Sequence, residues 1–446
     1  MVTDFFNAVF KENLSKTAII YKDESITYHT LIQKILYWKS KLPFERIEPG
    51  NIIALHGDFT PNSISLLFAL IENQNIIVPF DYSQIMMNEN KMNIGCVTTS
   101  IIVDEHENVS FKMHSNNNSH PFFEKLKSLQ HPGLVLFTSG TSGEPKAAVH
   151  DFVKLLEKFR TRKKALRTLN FLLFDHWGGL NTMFHTLANG GVVIALKDRR
   201  PQVICSFIEK YKIELLPASP TFLNLLLISE EFKNYDLSCL RLITYGTEPM
   251  PQSTLERIIN VFPNVQLQQT YGLIELGVLR SKSKSDNSLW VKIGGEGFAT
   301  RVVDGLLEIK AESAMLGYLN ALSPFTDDGW FMTGDQVEQD GEYLKILGRK
   351  SEIINVGGEK VYPADVESVI LEMENVAEVI VYGEKNPIMG HIVCAKVKII
   401  KDEDEKEFIF RLKNHCKKHL QPFKVPIKIK IVNEDQFNDR FKKKRI

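Results

Sequence analysis

Apolar residues fall along the chain in two alternating rhythms. In I-T-Y-H-T-L-I-Q-K-I-L-Y-W-K-S-K-L (26–42), Leu31, Ile32, Ile35 and Leu36 recur at helical spacing, and Thr27 stands where a helix N-cap is expected. N-I-I-A-L-H (51–56) reads as a strand. Thr60 and Pro61 then open a second helix through S-I-S-L-L-F-A-L-I-E, the proline fitting the first helical position, and N-I-I-V-P-F-D gives the next strand. This β-α-β order recurs through G-V-V-I-A-L, V-I-C-S-F-I-E-K-Y, I-E-L-L-P-A-S, T-F-L-N-L-L-L, L-R-L-I-T-Y, S-T-L-E-R-I-I-N-V-F and V-Q-L-Q-Q. Strands alternating with helices predict mostly parallel sheets covered on both faces, with ligands at the carboxyl ends of the strands.

From Asp304 the pattern changes to short strands and turns, G-L-L-E-I-K and E-Y-L-K-I-L-G-R-K. After them Tyr362 to Glu372 reads as a helix, V-A-E-V-I-V-Y and I-V-C-A-K-V-K-I as strands, and D-E-K-E-F-I-F-R-L-K-N-H-C-K-K-H-L as an amphipathic helix. The expectation is an α/β fold in two parts: residues 1–348 as a large N-terminal domain and 349–446 as a small α+β domain. No internal repeat is visible. H-S-N-N-N-S-H and S-K-S-K-S-D-N-S read as surface connections without catalytic content.

Composition narrows the function. Fifty-four basic side chains balance fifty-four acidic ones, so no overall field favours nucleic acid or an anionic membrane, and the expected partner is a small molecule. The five cysteines are scattered, with no Cys-x-x-Cys pair, which argues against a disulfide framework or a zinc site and fits a reducing cytoplasm. The N-terminus carries no long apolar core, and no run has the length of a membrane span, so no stable membrane insertion is expected.

The short apolar run Gly133 to Phe137 leads into L-F-T-S-G-T-S-G-E-P-K (136–146). Gly140 and Gly143 permit conformations other residues avoid, Thr138, Ser139, Thr141 and Ser142 supply hydroxyls, and Lys146 supplies a positive charge. That set suits an anion. It is not a Walker loop, because Pro145 precedes Lys146 and Ala147 follows it, where Gly-Lys-Ser/Thr would be required.

Four further stretches follow in order: Y-G-T-E-P-M-P (245–251), Q-T-Y-G-L-I-E-L (269–276), G-W-F-M-T-G-D (329–335) and G-R-K-S-E-I-I-N-V-G-G-E-K-V-Y-P (348–363). Together with the loop at 138–146 they resemble the adenylate-forming superfamily of AMP-forming acyl-CoA synthetases, adenylation domains of peptide synthetases and luciferases, across nearly the whole chain. The resemblance implies ATP-dependent conversion of a carboxylic acid to an acyl adenylate with release of pyrophosphate, then transfer to a thiol on CoA or on carrier-protein phosphopantetheine. It also implies that the small C-terminal domain is a mobile lid hinged near 349–351.

By the same resemblance, residues 138–143 and Lys146 would hold the β and γ phosphates. Tyr271 would lie against adenine, with Gly246, Thr247 and Glu248 as the other wall. Thr270 would sit near the α-phosphate, and Glu275 would bind Mg2+, a hard carboxylate ligand for a hard cation. Asp335 and Arg349 would contact the ribose, and Gly357 and Gly358 would line the pantetheine passage. F-D-H-W-G-G-L (174–180) resembles the acid-binding motif, with His176 and Trp177 near the carboxylate.

Some positions depart from the family pattern. Ser351 stands where the hinge residue is commonly Asp or Lys, and in F-N-D-R-F-K-K-K-R-I Phe441 replaces the commoner glycine before the lysine of the adenylation step. Lys442 is the expected catalytic lysine, with Lys443 and Lys444 as alternatives. Asp175 leaves an amino acid open as the substrate, since peptide-synthetase adenylation domains use an aspartate in this region; a small or medium acid is otherwise expected. The chain ends a few residues after Lys442, so a carrier protein would be a separate partner. A non-catalytic nucleotide-binding scaffold is disfavoured by the retained Lys146, Glu275, Asp335 and terminal lysines.

Overall fold

The β-α-β rhythm closes into two seven-stranded sheets in the computed structural model, which describes residues 2–82, 88–116, 118–138, 144–437 and 443. In the first sheet Gln266–Gln269, Leu242–Tyr245, Leu215–Ala218, Arg167–Asn170, Val192–Ala195 and Thr17–Tyr21 run parallel, and Glu24–Thr27 closes the edge antiparallel. In the second, Gly133–Thr138, Ile76–Asp81, Ile52–Gly57 and Thr99–Val103 form the parallel centre. Val109–Met113 on one side and Lys146–Asp151 with Gly317–Tyr318 on the other are antiparallel.

Ile52–Gly57 and Ile76–Asp81 are buried along their whole length, as strands covered on both faces must be. The helix Pro61–Glu72 lies in the shared core, buried from Ser63 through Ile71. The Thr60 side chain accepts from the Ser63 amide, and Pro61 occupies the first turn. Leu55 and Leu134 of the second sheet join Ile19 and Val193 of the first in one apolar cluster. Rings of Phe6, Phe10, Phe68 and Phe184 fill it, the Phe6 and Phe68 centroids lying 5.1 Å apart edge to face. On the helix Tyr28–Lys41, capped by Thr27, Leu31 and Ile35 face this core while Leu36 is 58% exposed, which narrows the expected apolar stripe.

The stretch beyond 280 forms a six-stranded antiparallel sheet in the order Ser281–Ser283, Trp290–Ile293, Tyr343–Arg349, Phe331–Asp340, Leu306–Ala311 and Phe298–Val303. This corrects the reading of S-K-S-K-S-D-N-S as connection alone. Its first three residues are a strand because their alternation turns both serine hydroxyls onto the neighbouring sheet edge: Ser281 Oγ donates to Gln269 O at 2.8 Å, and Ser283 Oγ accepts from Gln269 N at 3.1 Å.

Residues 354–431 build their own five-stranded sheet, with helices Pro363–Leu371 and Glu405–His419 closing a separate core around Val366, Ile370, Val381, Val393, Phe408 and Leu412. It meets the large domain through Asn224, whose Nδ2 donates to Ala377 O at 3.0 Å, and Ser253, whose hydroxyl donates to Ser368 O at 3.2 Å. All five cysteines are free. Among the described residues no helix is long and apolar enough to cross a membrane.

Thr60→Ala removes the cap of the most enclosed helix and is expected to lower the unfolding free energy by about 1 kcal/mol, read as a lowered midpoint in urea denaturation.

Candidate functional site

Leu242–Tyr245 and Gln266–Gln269 are parallel neighbours, and the loops that leave their carboxyl ends are drawn together at once. Tyr245 O accepts from both Thr270 N at 2.7 Å and Thr270 Oγ1 at 3.1 Å. A Cβ on Gly246 would stand 2.5 Å from Thr270 O, so only glycine fits there. Thr247 follows with φ of +77°, a conformation that a β-branched residue adopts only under strain. Glu248 Oε1 accepts from Thr221 N at 2.8 Å and from the Thr221 hydroxyl, which satisfies a first-turn amide of the helix Pro220–Ser229 and pins the loop.

Tyr271 reaches the antiparallel sheet. Its hydroxyl donates to Asp335 Oδ2 at 2.5 Å, and its ring is only 7% exposed among Leu276, Leu279 and Phe331. Asp335 lies directly across from Arg349 in the pairing of Phe331–Asp340 with Tyr343–Arg349, and Arg349 Nε reaches Asp335 Oδ1 at 2.8 Å. Arg349 also donates to Thr333 O at 2.5 Å, and Thr333 Oγ1 accepts from Asp335 N at 3.0 Å. Burial raises the Asp335 carboxyl above the ordinary carboxylate range, against the opposing pull of Arg349 and then Tyr271. Burial, reinforced by the Asp335 charge, pushes the Tyr271 phenol well up, so at neutral pH it is a fixed neutral donor.

Glu275 shares this neighbourhood, since its charge acts on both Asp335 and Arg349. Its Oε1 accepts from the Tyr318 hydroxyl at 2.5 Å, and the Lys146 ammonium lies 5.6 Å from the centre of the Tyr318 ring. Lys146 and Thr138 are opposed in the register of their two strands, so both ends of the glycine-rich loop are held at this place. Among the described residues no group of three His, Cys, Asp or Glu could cage a metal. A single carboxylate beside bound phosphates is nevertheless the usual mode for Mg2+, and Glu275 fits that mode.

On the other side His176 caps the helix Trp177–Ala188, its Nδ1 accepting from Gly178 N at 3.1 Å. Trp177 is buried in the main core, and a Cβ on Gly179 would meet Leu173 O at 2.4 Å and the Phe59 ring at 2.9 Å. Asp175 is buried beside them.

Sequence reasoning missed Tyr318 and Lys158. The Lys158 ammonium donates to Asn181 Oδ1 on that helix and, at 2.8 Å, to Val278 O on the hairpin whose turn carries Glu275. Burial, with help from Arg280, pushes its pKa down to about 7. Neither residue carries a local motif; each acquires its partner only when distant segments meet.

Gly357 and Gly358 lie apart from this constellation. They form the exposed turn between Ile354–Val356 and Glu359–Val361, with φ of +59° and +94° that glycine takes without strain, and Gly357 N donates to Met389 O. Ser139, Gly140, Thr141, Ser142, Gly143 and Lys442 lie outside the described residues.

The model of the AMP-binding enzyme family matches residues 83–304, and that of the AMP-binding enzyme C-terminal domain matches 365–442, together well over half of the chain. The chain is 30% identical over 298 residues to indoleacetate–CoA ligase of Aromatoleum aromaticum, covering 60% of this chain and 57% of that protein. It is 29% identical over 321 residues to long-chain-fatty-acid–CoA ligase FadD13 of Mycobacterium tuberculosis, covering 66% and 63%. It thus spans less than two thirds of the length of both curated relatives. The anthranilate CoA ligase AuaEII in complex with anthranoyl-AMP has the same fold, with a TM-score of 0.84 at 17% identity over 99% of this chain and 95% of that one. ATP-bound MatB from Rhodopseudomonas palustris gives 0.79 at 21% identity, over 98% and 96%.

Arg349→Met strips Asp335 of its cation. Because the guanidinium is half-exposed, the expected loss is about 1–3 kcal/mol, short of that for a fully enclosed pair. A carboxyl whose folded pKa is raised is most favourable when protonated and becomes costly as pH rises through that pKa. The deficit should therefore be widest at neutral pH and narrow toward acid, as read by urea unfolding at several pH values.

Lys158 has the opposite sign: its folded pKa of about 7 lies below the unfolded value, so its contribution is fully present above the unfolded pKa and is lost as pH falls through about 7. Lys158→Met should abolish that share of the rise in stability between neutral and alkaline pH, measured by the same titration.

Proposed function

The chain belongs to the AMP-binding enzyme family, and on that premise we propose that it activates a carboxylic acid with ATP and passes the acyl group to a thiol. A carboxylate oxygen of the acid attacks the α-phosphorus of ATP, the bond to the β-phosphate breaks, and pyrophosphate leaves. A thiolate then attacks the acyl carbonyl, the bond to the phosphate oxygen breaks, and AMP leaves. Because two anions must meet in the first step, catalysis depends on positioning and on opposing negative charge.

The observation that carries this reading is the convergence of Thr270, Tyr271 and Glu275, from one loop, on Gly246, Asp335, Arg349 and Tyr318. Asp335, oriented from two sides, accepts from the ribose hydroxyls, and the Arg349 guanidinium opposes the burial that disfavours its carboxylate form. Gly246 lets the base approach the backbone, and Thr247, Glu248 and Tyr271 border it. Thr138 to Gly143 and Lys146 hold the outgoing phosphates, and Thr270 contacts the α-phosphate. Mg2+ bound at Glu275 would offset phosphate charge. His176 borders the acid, Lys442 acts in adenylation, and Gly357 and Gly358, beyond a hinge at 349–351, admit pantetheine.

The CoA ligases among the similar proteins support CoA as the acceptor over the phosphopantetheine of a carrier protein. Burial of Asp175 beside His176 supports a second reading, in which the acid is an amino acid. The test is acid-dependent exchange of labelled pyrophosphate into ATP across fatty, aromatic, hydroxy and amino acids. One class is expected to give exchange, and silence across the panel with ATP binding intact would overturn the proposal.

A further inference from the structure

The lysine run at 442–444 offers three ammonium groups for one role in adenylation. Lys443 Nζ lies 2.6 Å from Glu367 Oε2, and the two side chains are 17% and 1% exposed. Glu367 sits on the helix Pro363–Leu371, and its Oε1 accepts from Val381 N, at 2.9 Å, in the strand Val376–Asn386. One buried carboxylate therefore ties together a helix, a strand and the end of the chain. Seven residues upstream the arrangement repeats: Gln436 N donates to Glu378 Oε2 at 2.7 Å, and Glu378 is also buried. Phe437 pairs with Lys443 as a β-bridge, and Gln436, Phe437 and Lys443 border one cleft with Glu248, Pro249 and Pro251. Gln436, Phe437 and Lys443 are thereby set against the loop assigned above to the adenine side.

We infer that Lys443 is a positioning residue, with its ion pair to Glu367 anchoring the end of the chain on the small domain, and that it is not the lysine that acts on the substrates. An ammonium already in contact with a buried carboxylate has its charge largely cancelled and adds little stabilisation to a second anion. Removing it would take a cation away from the buried Glu367 carboxylate and undo the contact that holds residue 443 on the small domain. This inference deepens the adenylation proposal and rests on it.

The test compares full-length Lys443→Met, Glu367→Gln, Lys443→Glu and the exchanged pair Lys443→Glu/Glu367→Lys, in both half-reactions, using the acid found in the exchange panel. Lys443→Met and Glu367→Gln should each lower pyrophosphate exchange on the order of a hundredfold, the loss that a small misplacement away from the chemistry produces. Thioester formation from preformed acyl adenylate should be unchanged, and the exchanged pair should recover most of what Lys443→Glu loses. If Glu367→Gln exchanges like the wild type while the exchanged pair stays as inactive as Lys443→Glu, Lys443 acts by its own charge on the substrates and the inference falls. Equal damage to both half-reactions would reduce the pair to a purely structural one and also overturn it. Limited proteolysis of the C-terminal end keeps the anchor testable if the wild type exchanges with no acid. Faster cleavage in the two neutralising variants, reversed in the exchanged pair, supports the anchor; equal cleavage in all of them overturns it.

Discussion

Tyr245 ends one strand and Thr270 follows directly on its parallel neighbour, and the carbonyl of the first takes two hydrogen bonds from the second. That closure sets the conformation of everything beyond it. It brings the Thr270 backbone so near residue 246 that a side chain is excluded, and the chain continues through a left-handed threonine. It also directs the next residue, Tyr271, across to Asp335. Strain of this kind persists only where the surroundings over-determine it. Here they do, through Thr221 on Glu248 and the two serine hydroxyls on Gln269.

The charges around this closure are enclosed and tied to one another. Asp335 is enclosed and disfavoured by burial, yet it is held by an arginine, a tyrosine and a backbone turn, so its oxygens are fixed in direction before anything binds. Glu275 and Lys146 flank one tyrosine ring with opposite charges. Preorganised groups of this sort need no reorganisation when charge arrives, which is where their contribution to a reaction between anions would lie. Lys158 extends the arrangement to the helix Trp177–Ala188 that His176 caps, coupling it to the Glu275 hairpin.

The small domain depends on buried carboxylates in a different way. Glu367 and Glu378 are placed where an unpaired charge would be costly, and both receive donors from the last described residues of the chain. Its hairpin glycines are exposed, and Asn224 and Ser253 each donate to one of its backbone carbonyls.

Much of this was legible in the amino-acid order. The helix caps at Thr27 and Thr60, the buried strands at 52–57 and 76–81, the change to short strands and turns after Asp304 and the small C-terminal α+β unit all follow from apolar period and local capping. Motif order marked Gly246, Thr270, Tyr271, Glu275, Asp335 and Arg349, without saying which would touch. Period and capping are properties of one segment and its solvent, so a single chain displays them. The tie of Tyr271 to Asp335 spans 64 residues and that of Glu367 to Lys443 spans 76, and neither has a local signature. Tyr318, Lys158 and the anchoring of Lys443 were decided only in the tertiary structure, because a hydrogen bond or an ion pair takes its identity from whichever distant group packing brings within 3 Å.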